Sequence, residues 1–289
     1  MDRANKLVAV GELRRAGLAL DSETHMITKS YCASFGPRGE AIWELCLQRV
    51  RELHPRTGVN FDPDSVPRSG GRAWCLGGLP PQLRGVHFGA RLFCLYKGTA
   101  EQWERLWGTV DDPVYDDVLI RPVMVGGEFD KLVQTAQLVA TTPAIGDAMK
   151  PLQYGVAVPS GMEMLVLANR SHAKWQPRSV TGLTDCSGAF PRSKRKKVGE
   201  GLVEYGLGSL YGYFAAGHSG SVPVFVDGEP GAVLEMDDGL FQGKVLASAY
   251  YCVSIQPLLI RLSREFPLLR VSAVVDDIAW QGNAGKEKA

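Results

Sequence analysis

Residues 268–282, LLRVSAVVDDIAWQG, set two adjacent carboxylates, Asp276 and Asp277, inside an otherwise apolar run. An unpaired buried carboxylate either costs several kcal/mol or takes up a proton, so such a pair needs cations, hydrogen-bond donors or water. The flanks VSAVV and IAW are rich in β-favouring residues, which predicts a tight hairpin with the carboxylates in its turn and rigid strands on either side. Successive strand side chains face opposite ways, so a turn lets one carboxylate point across the sheet while the other stays near it. A purely structural turn is the competing reading.

Asp-Asp occurs at 111–112, 116–117, 237–238 and 276–277. The first two pairs lie around Pro113 in polar sequence and read as solvated loop, and Asp237–Asp238 precedes Gly239 and reads as a turn. Only the last pair is framed by apolar strands. A hard divalent ion there needs another oxygen ligand, because magnesium prefers octahedral oxygen coordination with few protein ligands. Asp185 is the candidate: it ends a predicted strand, SVTGLTD, and the small residues of CSGAF that follow allow close backbone approach. Two strands of one sheet would bring Asp185 against Asp276. Three such carboxylates suit two-metal phosphoryl transfer, one ion activating a hydroxyl and the other holding phosphate oxygens.

The remaining elements give the setting. A helix is predicted over 37–54, then a loop-rich tract over 55–89, a strand in ARLFCLYK ending at Lys97, and a second strand in VLIRPVMV. GEFDKLVQTAQLVA has helical periodicity, PLQYGVAVPSGM leads into a helix beginning near Gly161, and VPVFV and AVLEM form short strands joined by DGEPG. KVLASAYYCVSIQPLLIRLSREF predicts a long, mostly buried helix kinked at Pro257. Interleaved helices, strands and hairpins indicate an α+β fold.

At 289 residues, 45% hydrophobic and 22% charged, the chain fits one large domain or two sub-domains. Its 32 basic and 31 acidic residues nearly cancel, so any site for a polyanion is a local patch. Cys32, Cys46, Cys75, Cys94, Cys186 and Cys252 are scattered, without C-x-x-C or a neighbouring His to complete a zinc site. That points to a reduced intracellular protein, nuclear or cytoplasmic and not secreted. Charges interrupt every apolar run of MDRANKLVAVGELRRAG, against a signal peptide, and no stretch approaches the ~20 apolar residues of a membrane span.

The motif order resembles the catalytic region of reverse transcriptases of the non-LTR retrotransposon type. DCSGAF is similar to the family's D-x-x-x-A-F at Asp185, Ala189 and Phe190; GLFQGKVLAS supplies Gly239, Gln242 and Gly243 for its Q-G motif; VVDD supplies the paired aspartates. Upstream, LYK and RPVMVGGEFDKL resemble the finger motifs, and PLQYGVAVPSGMEM is similar to a Q-x-G-V-x-x-x-x-G-x-E segment of one retrotransposon-like group. The likeness spans roughly residues 90 to 281 in order. Two positions depart from it: Val274 stands where the aromatic residue is usual, and Val245 where proline is.

The resemblance implies an α+β right-hand polymerase with a mixed sheet, a catalytic β-hairpin and packed helices. It divides the chain into a helical and loop-rich extension (1–89), a fingers-like region (90–175) and a palm (176–289). Asp185, Asp276 and Asp277 would be the catalytic, metal-holding carboxylates, with magnesium or manganese as cofactor. Lys97 and Arg121 would neutralise the incoming triphosphate, and Gln242 and Gly243 would sit by the template and nascent base pair. Phe190 would lie under the sugar and exclude a 2′-hydroxyl, favouring DNA synthesis; its bland alternative is core packing.

Arg192, Lys194, Arg195, Lys196 and Lys197 would contact the primer-template backbone, unless they form only a solvated charge run. Glu163 is as readily a helix N-terminal charge. With no thumb before Ala289, the expectation is a fragment or decayed copy. Its inherited activity would be that of an RNA-directed DNA polymerase, a nucleotidyltransferase acting on an RNA template, a nucleic-acid primer and deoxynucleoside triphosphates, with no membrane partner. An RNA-directed RNA polymerase and a non-catalytic nucleic-acid-binding remnant remain open.

Overall fold

A computed structural model describes residues 26–54, 61–66, 81–108, 118–226 and 232–283. In chain order its elements are β1 (Met26–Ile27), α1 (Lys29–Ala33), α2 (Gly36–Leu53), a 3-10 turn at Pro63–Ser65, α3 (Pro81–Phe88), β2 (Ala90–Tyr96), α4 (Ala100–Trp107), β3 (Ile120–Gly126) and α5 (Glu128–Met149). They continue as α6 (Gly161–Trp175), β4 (Ser179–Asp185), α7 (Ala189–Arg192), α8 (Arg195–Glu204), α9 (Gly208–His218), β5 (Val222–Val226), β6 (Val233–Met236), α10 (Ala247–Glu265), β7 (Arg270–Val274) and β8 (Asp277–Asn283). The fold is α+β. The pairs at 111–112 and 116–117, the DGEPG connection, Cys75 and the N-terminal segment lie outside the described residues.

Residues 81–88, read from sequence as part of a loop-rich tract, are helical. Pro81 is the first helical residue, the one position where its missing N–H costs nothing and its fixed φ favours the helix. The helix predicted over 127–140 runs on to Met149 with Pro143 inside it.

Two compact units form, one within Met1–Glu52, Arg91–Met124 and Phe225–Leu234, the other within Leu53–Ala90, Val125–Val224 and Glu235–Ala289. In the first unit, β2 buries Leu92, Cys94 and Tyr96 on one face while Arg91 is exposed, the period-2 pattern of a half-buried strand. β1 pairs with it antiparallel through Met26↔Leu95 and Ile27↔Cys94. The sheet order is β1-β2-β5-β6, with β3 also paired to β2. Helix α2 turns Ile42, Trp43, Cys46, Leu47 and Val50 inward. Arg38 on that helix donates to the Leu106 carbonyl from Nε at 3.0 Å and from Nη2 at 2.9 Å, satisfying the C-terminal end of α4.

In the second unit, α8, α9 and α10 enclose a core that includes Leu202, Leu210, Phe214, Tyr250 and Val253. Gly201 makes the α8–α10 approach feasible, since a Cβ there would meet Val253 Cγ1 at 2.6 Å. A separate antiparallel sheet, β4-β8-β7, lays Val271, Ala273 and Ile278 on Leu152 and Leu259. Strand β4 forms over the residues predicted for it, and the candidate site lies at its end.

Candidate active site

The β7–β8 hairpin closes through Val274↔Asp277, leaving Val275 and Asp276 as a two-residue turn. Val275 has φ 57°, a left-handed conformation that a β-branched residue adopts at a cost of about 1–3 kcal/mol. Three contacts impose it. The Val275 N–H donates to Gln153 Oε1 at 3.0 Å, and Gln153 Nε2 donates back to the Val275 carbonyl at 2.9 Å. Gly155 sits so close that a Cβ would meet Val275 N at 2.6 Å. The 152–154 backbone runs alongside β7, with the Ala273 N–H donating to the Leu152 carbonyl and the Tyr154 N–H to the Ala273 carbonyl, each at 2.7 Å. Two net hydrogen bonds contribute about 0.5–1.5 kcal/mol each, comparable with the strain they oppose.

Strand β4 pairs with β8 antiparallel, and its last residue, Asp185, stands directly opposite Asp277. Cross-strand partners share a face, so these two carboxylates are neighbours on one side of the sheet, an arrangement that is destabilising for like charges without a counter-cation. The expected partner of Asp185 was Asp276. The difference is one register step, set by the turn taking Val275 and Asp276 and leaving Asp277 in the ladder.

Asp185 and Asp277 are exposed and Asp276 is half-buried, so burial is borne by the flanking Ala273, Ile278 and Ala279 and not by the carboxylates. The charge of Asp276 is felt on α10: burial, then Asp276, pushes the Cys252 thiol up to about 12. Tyr251 is raised by burial first, then by its hydrogen bond with Cys186 and the charges of Cys186 and Asp276.

The pairing has a steric lock three residues from the facing carboxylates on each strand. Gly182 lies opposite Trp280, and a Cβ at Gly182 would fall 1.9 Å from the indole ring.

No group of three or more His, Cys, Asp or Glu side chains among the described residues is arranged to hold a metal ion by itself. The donor chemistry nevertheless suits a hard cation: two carboxylates face each other with a third adjacent in the chain. Magnesium is commonly bound by one or two carboxylates with water and substrate phosphates completing its shell.

Other predicted residues fall as follows. Phe190 is 9% exposed and belongs to the core, its ring 5.3 Å from that of Tyr251. Gln242 is half-buried and Gly243 exposed at φ 111°, a conformation open to glycine. Lys244, which follows them, is buried: it pairs with Asp130 at 3.1 Å and donates to the Phe88 carbonyl at 2.6 Å. Asp130 Oδ1 also accepts from Tyr213 at 2.6 Å and Gln134 Nε2 at 2.7 Å, and Gln134 Oε1 takes the Leu246 N–H at 3.0 Å. This buried network pins the segment that follows Gln242–Gly243. Glu163 lies in the first turn of α6. Lys97 and Arg121 are exposed in the first unit, Lys97 following β2 and Arg121 within β3.

Within the basic run, Arg195 corrects the expectation of phosphate contact. It is fully buried, and its guanidinium donates to the carbonyls of Gly239, His218, Gly220, Asp237 and Met236 at 2.9–3.1 Å. Burial, only partly opposed by Asp238 and Asp237, lowers it to about 10. Nε, Nη1 and Nη2 all donate to backbone carbonyls inside the fold, so the buried side chain holds loops together and does not reach a nucleic acid. Arg192, Lys194, Lys196 and Lys197 are exposed, with Lys194 on Asp238 at 2.8 Å and Lys197 on Glu200 at 2.8 Å.

Gln153, Asp130 and Lys244 carry no role in the sequence-based expectations, and Asp238 enters them only as part of a turn. For Gln153 the signal is QYG, within the stretch similar to a family segment, although that likeness gives the amide no role. No protein-family model matches the chain, and no curated protein matches it in sequence.

Proposed function

We propose that this chain carries the palm chemistry of a reverse transcriptase of the non-LTR retrotransposon type: template-directed nucleotidyl transfer onto a primer by two-metal catalysis. One observation carries the reading, the register that sets Asp185 opposite Asp277 beside the strained Val275–Asp276 turn. Like charges facing across a ladder, next to backbone strain, are costly features that a purely structural hairpin has no use for.

Asp185 and Asp277, with Asp276 adjacent, would hold magnesium or manganese. When bound, such ions lower the pKa of an attacking hydroxyl and neutralise developing phosphoryl charge. The chain's own residues do the rest. The carboxylates attract and orient cations. Phe190 closes space below the sugar, and the exposed Arg192, Lys194, Lys196 and Lys197 attract a phosphate backbone with a salt-dependent affinity. Lys194 and Lys197 already have carboxylate partners, so the net attraction of this run is modest.

Primer extension on an RNA template with deoxynucleoside triphosphates and magnesium or manganese tests the proposal. Incorporation that Asp185→Asn abolishes supports it; incorporation indifferent to Asp185→Asn overturns the site. A second reading, a non-catalytic nucleic-acid-binding remnant, draws on the lack of a three-ligand cluster among the described residues and on valine at 274. It predicts RNA binding without incorporation. Competing ribonucleotides in the same assay, with Phe190→Val, separate DNA from RNA synthesis, since unchanged sugar selectivity removes the gate role.

No helix among the described residues is long and apolar enough to cross a membrane.

A further inference from the structure

We propose that Gln153 is a positioning residue for the carboxylate hairpin, a clamp whose single amide fixes both backbone groups of Val275 and thereby fixes where Asp276 and Asp277 are presented. The inference rests on the reading of Asp185, Asp276 and Asp277 as the functional site.

Five observations meet at this point. Gln153 is 1% exposed, so its amide is committed inward. Its side chain spans 122 residues of sequence to satisfy the N–H and the C=O of one turn residue, a two-point contact that fixes peptide orientation as well as distance. That residue is the one at φ 57°, where valine does not rest without support. Gly155 leaves the room for the approach, since any side chain there would strike the Val275 backbone. The neighbouring Leu152 and Tyr154 backbone groups are already used in pairing with Ala273, so the 152–154 segment is itself rigidly seated and the clamp has a fixed base.

Gln153 touches no carboxylate in these contacts. It acts through the backbone: with Val275 held left-handed, the turn closes in two residues and Asp277 enters β8 opposite Asp185. Released, Val275 returns to the φ < 0 region that its branched side chain prefers, and the two-residue closure is lost.

The test uses the whole chain labelled with ¹⁵N-aspartate, reading the Asp276 and Asp277 amide resonances with and without magnesium chloride. In Gln153→Leu both resonances shift and their response to magnesium weakens. Adding Val275→Gly to the same chain returns both towards wild type, because glycine takes φ near 57° unaided. A residue that merely fills core volume would not be rescued by a backbone-releasing change at 275. Should Gln153→Leu not fold, Gln153→Asn keeps the amide but is too short to reach both groups, and the same rescue is expected.

Unmoved resonances in the single variants, or failure of Val275→Gly to restore them, overturn the clamp. The polymerase reading is scored apart, in primer extension. Where wild type extends, the single variants lose about 10- to 100-fold in rate and the double variant regains it. A wild type that does not extend removes the polymerase reading and leaves the clamp to be decided by the resonances.

Discussion

Asp237–Asp238 and Asp276–Asp277 are the same dipeptide in two opposite electrostatic settings. Asp238 is surrounded by donors: Lys194 Nζ at 2.8 Å and the N–H groups of Arg195 and Gly239 at 3.0 Å each. Burial raises its carboxyl, and these donors together outweigh burial and bring it below the usual range. Around it the buried Arg195 collects five backbone carbonyls. Asp277 instead faces another aspartate across a ladder. The dipeptide therefore carries no function of its own; the facing groups decide it. A pair met by donors consolidates structure, and a pair met by a carboxylate calls for a ligand that is positive.

Exchanging the two settings' key charges separates stability from activity. The largest effect expected is on catalysis: Asp277→Asn lowers primer extension about a thousandfold, measured as single-nucleotide incorporation at saturating magnesium, while Asp238→Asn leaves it within a few-fold. Next, Arg195→Lys lowers unfolding free energy by about 3 kcal/mol in urea titration, because an ammonium cannot reach carbonyls arranged for a planar fork and leaves several unsatisfied.

The third prediction concerns acid. Buried His54 is lowered to about 4 by burial and then by Arg195, and buried His218 is lowered for the same two reasons in the same order, with Lys244 adding to them. Both rings fold neutral, so the unfolded chain binds more protons below its ordinary histidine pKa. Stability is complete above pH ~6.5 and falls as pH drops towards 4, by about 3 kcal/mol from His54 alone. Urea midpoints across that window check it, and His54→Gln flattens the curve. The smallest effect has the opposite sign: Asp277→Asn, without metal, raises unfolding free energy by about 0.2–1 kcal/mol by removing like-charge repulsion, whereas Asp238→Asn lowers it. A hairpin variant that gains stability while losing activity marks the site as functional; one that loses stability and keeps activity places it with Asp238.

Much of the fold was legible where one periodicity dominates. SVTGLTD gave β4 to the residue, and the apolar stripe of Gly36–Leu53 gave its helix. The hairpin was legible too, because β-favouring flanks put the turn at the acidic pair, although only Asp276 lies in it and Asp277 opens β8. The partner of Asp185 was not, since register depends on which two residues make the turn, and period-2 patterning does not distinguish a one-step offset until the ladder is closed.

Arg195 was misread because a run of like charges looks uniformly solvated. Its inward direction follows from carbonyls contributed by residues 218–239, which no local pattern announces. Gln153 was hidden for the same reason: its use is defined by a turn far along the chain, and an amide's capacity to satisfy two backbone groups leaves no local mark. Pro81 shows the converse failure, a helix-starting residue taken for a loop residue because a second proline precedes it.

The Trp280–Gly182 contact makes the spacing of the two carboxylates a question of gear teeth. The indole fits only where the opposing strand has no side chain; one step of slip would set it against Thr181 or Leu183 instead. The relative position of Asp185 and Asp277 is therefore indexed away from the turn, three residues along the ladder from either carboxylate. A change at 182 would retune the distance between the carboxylates while leaving every acidic residue in place.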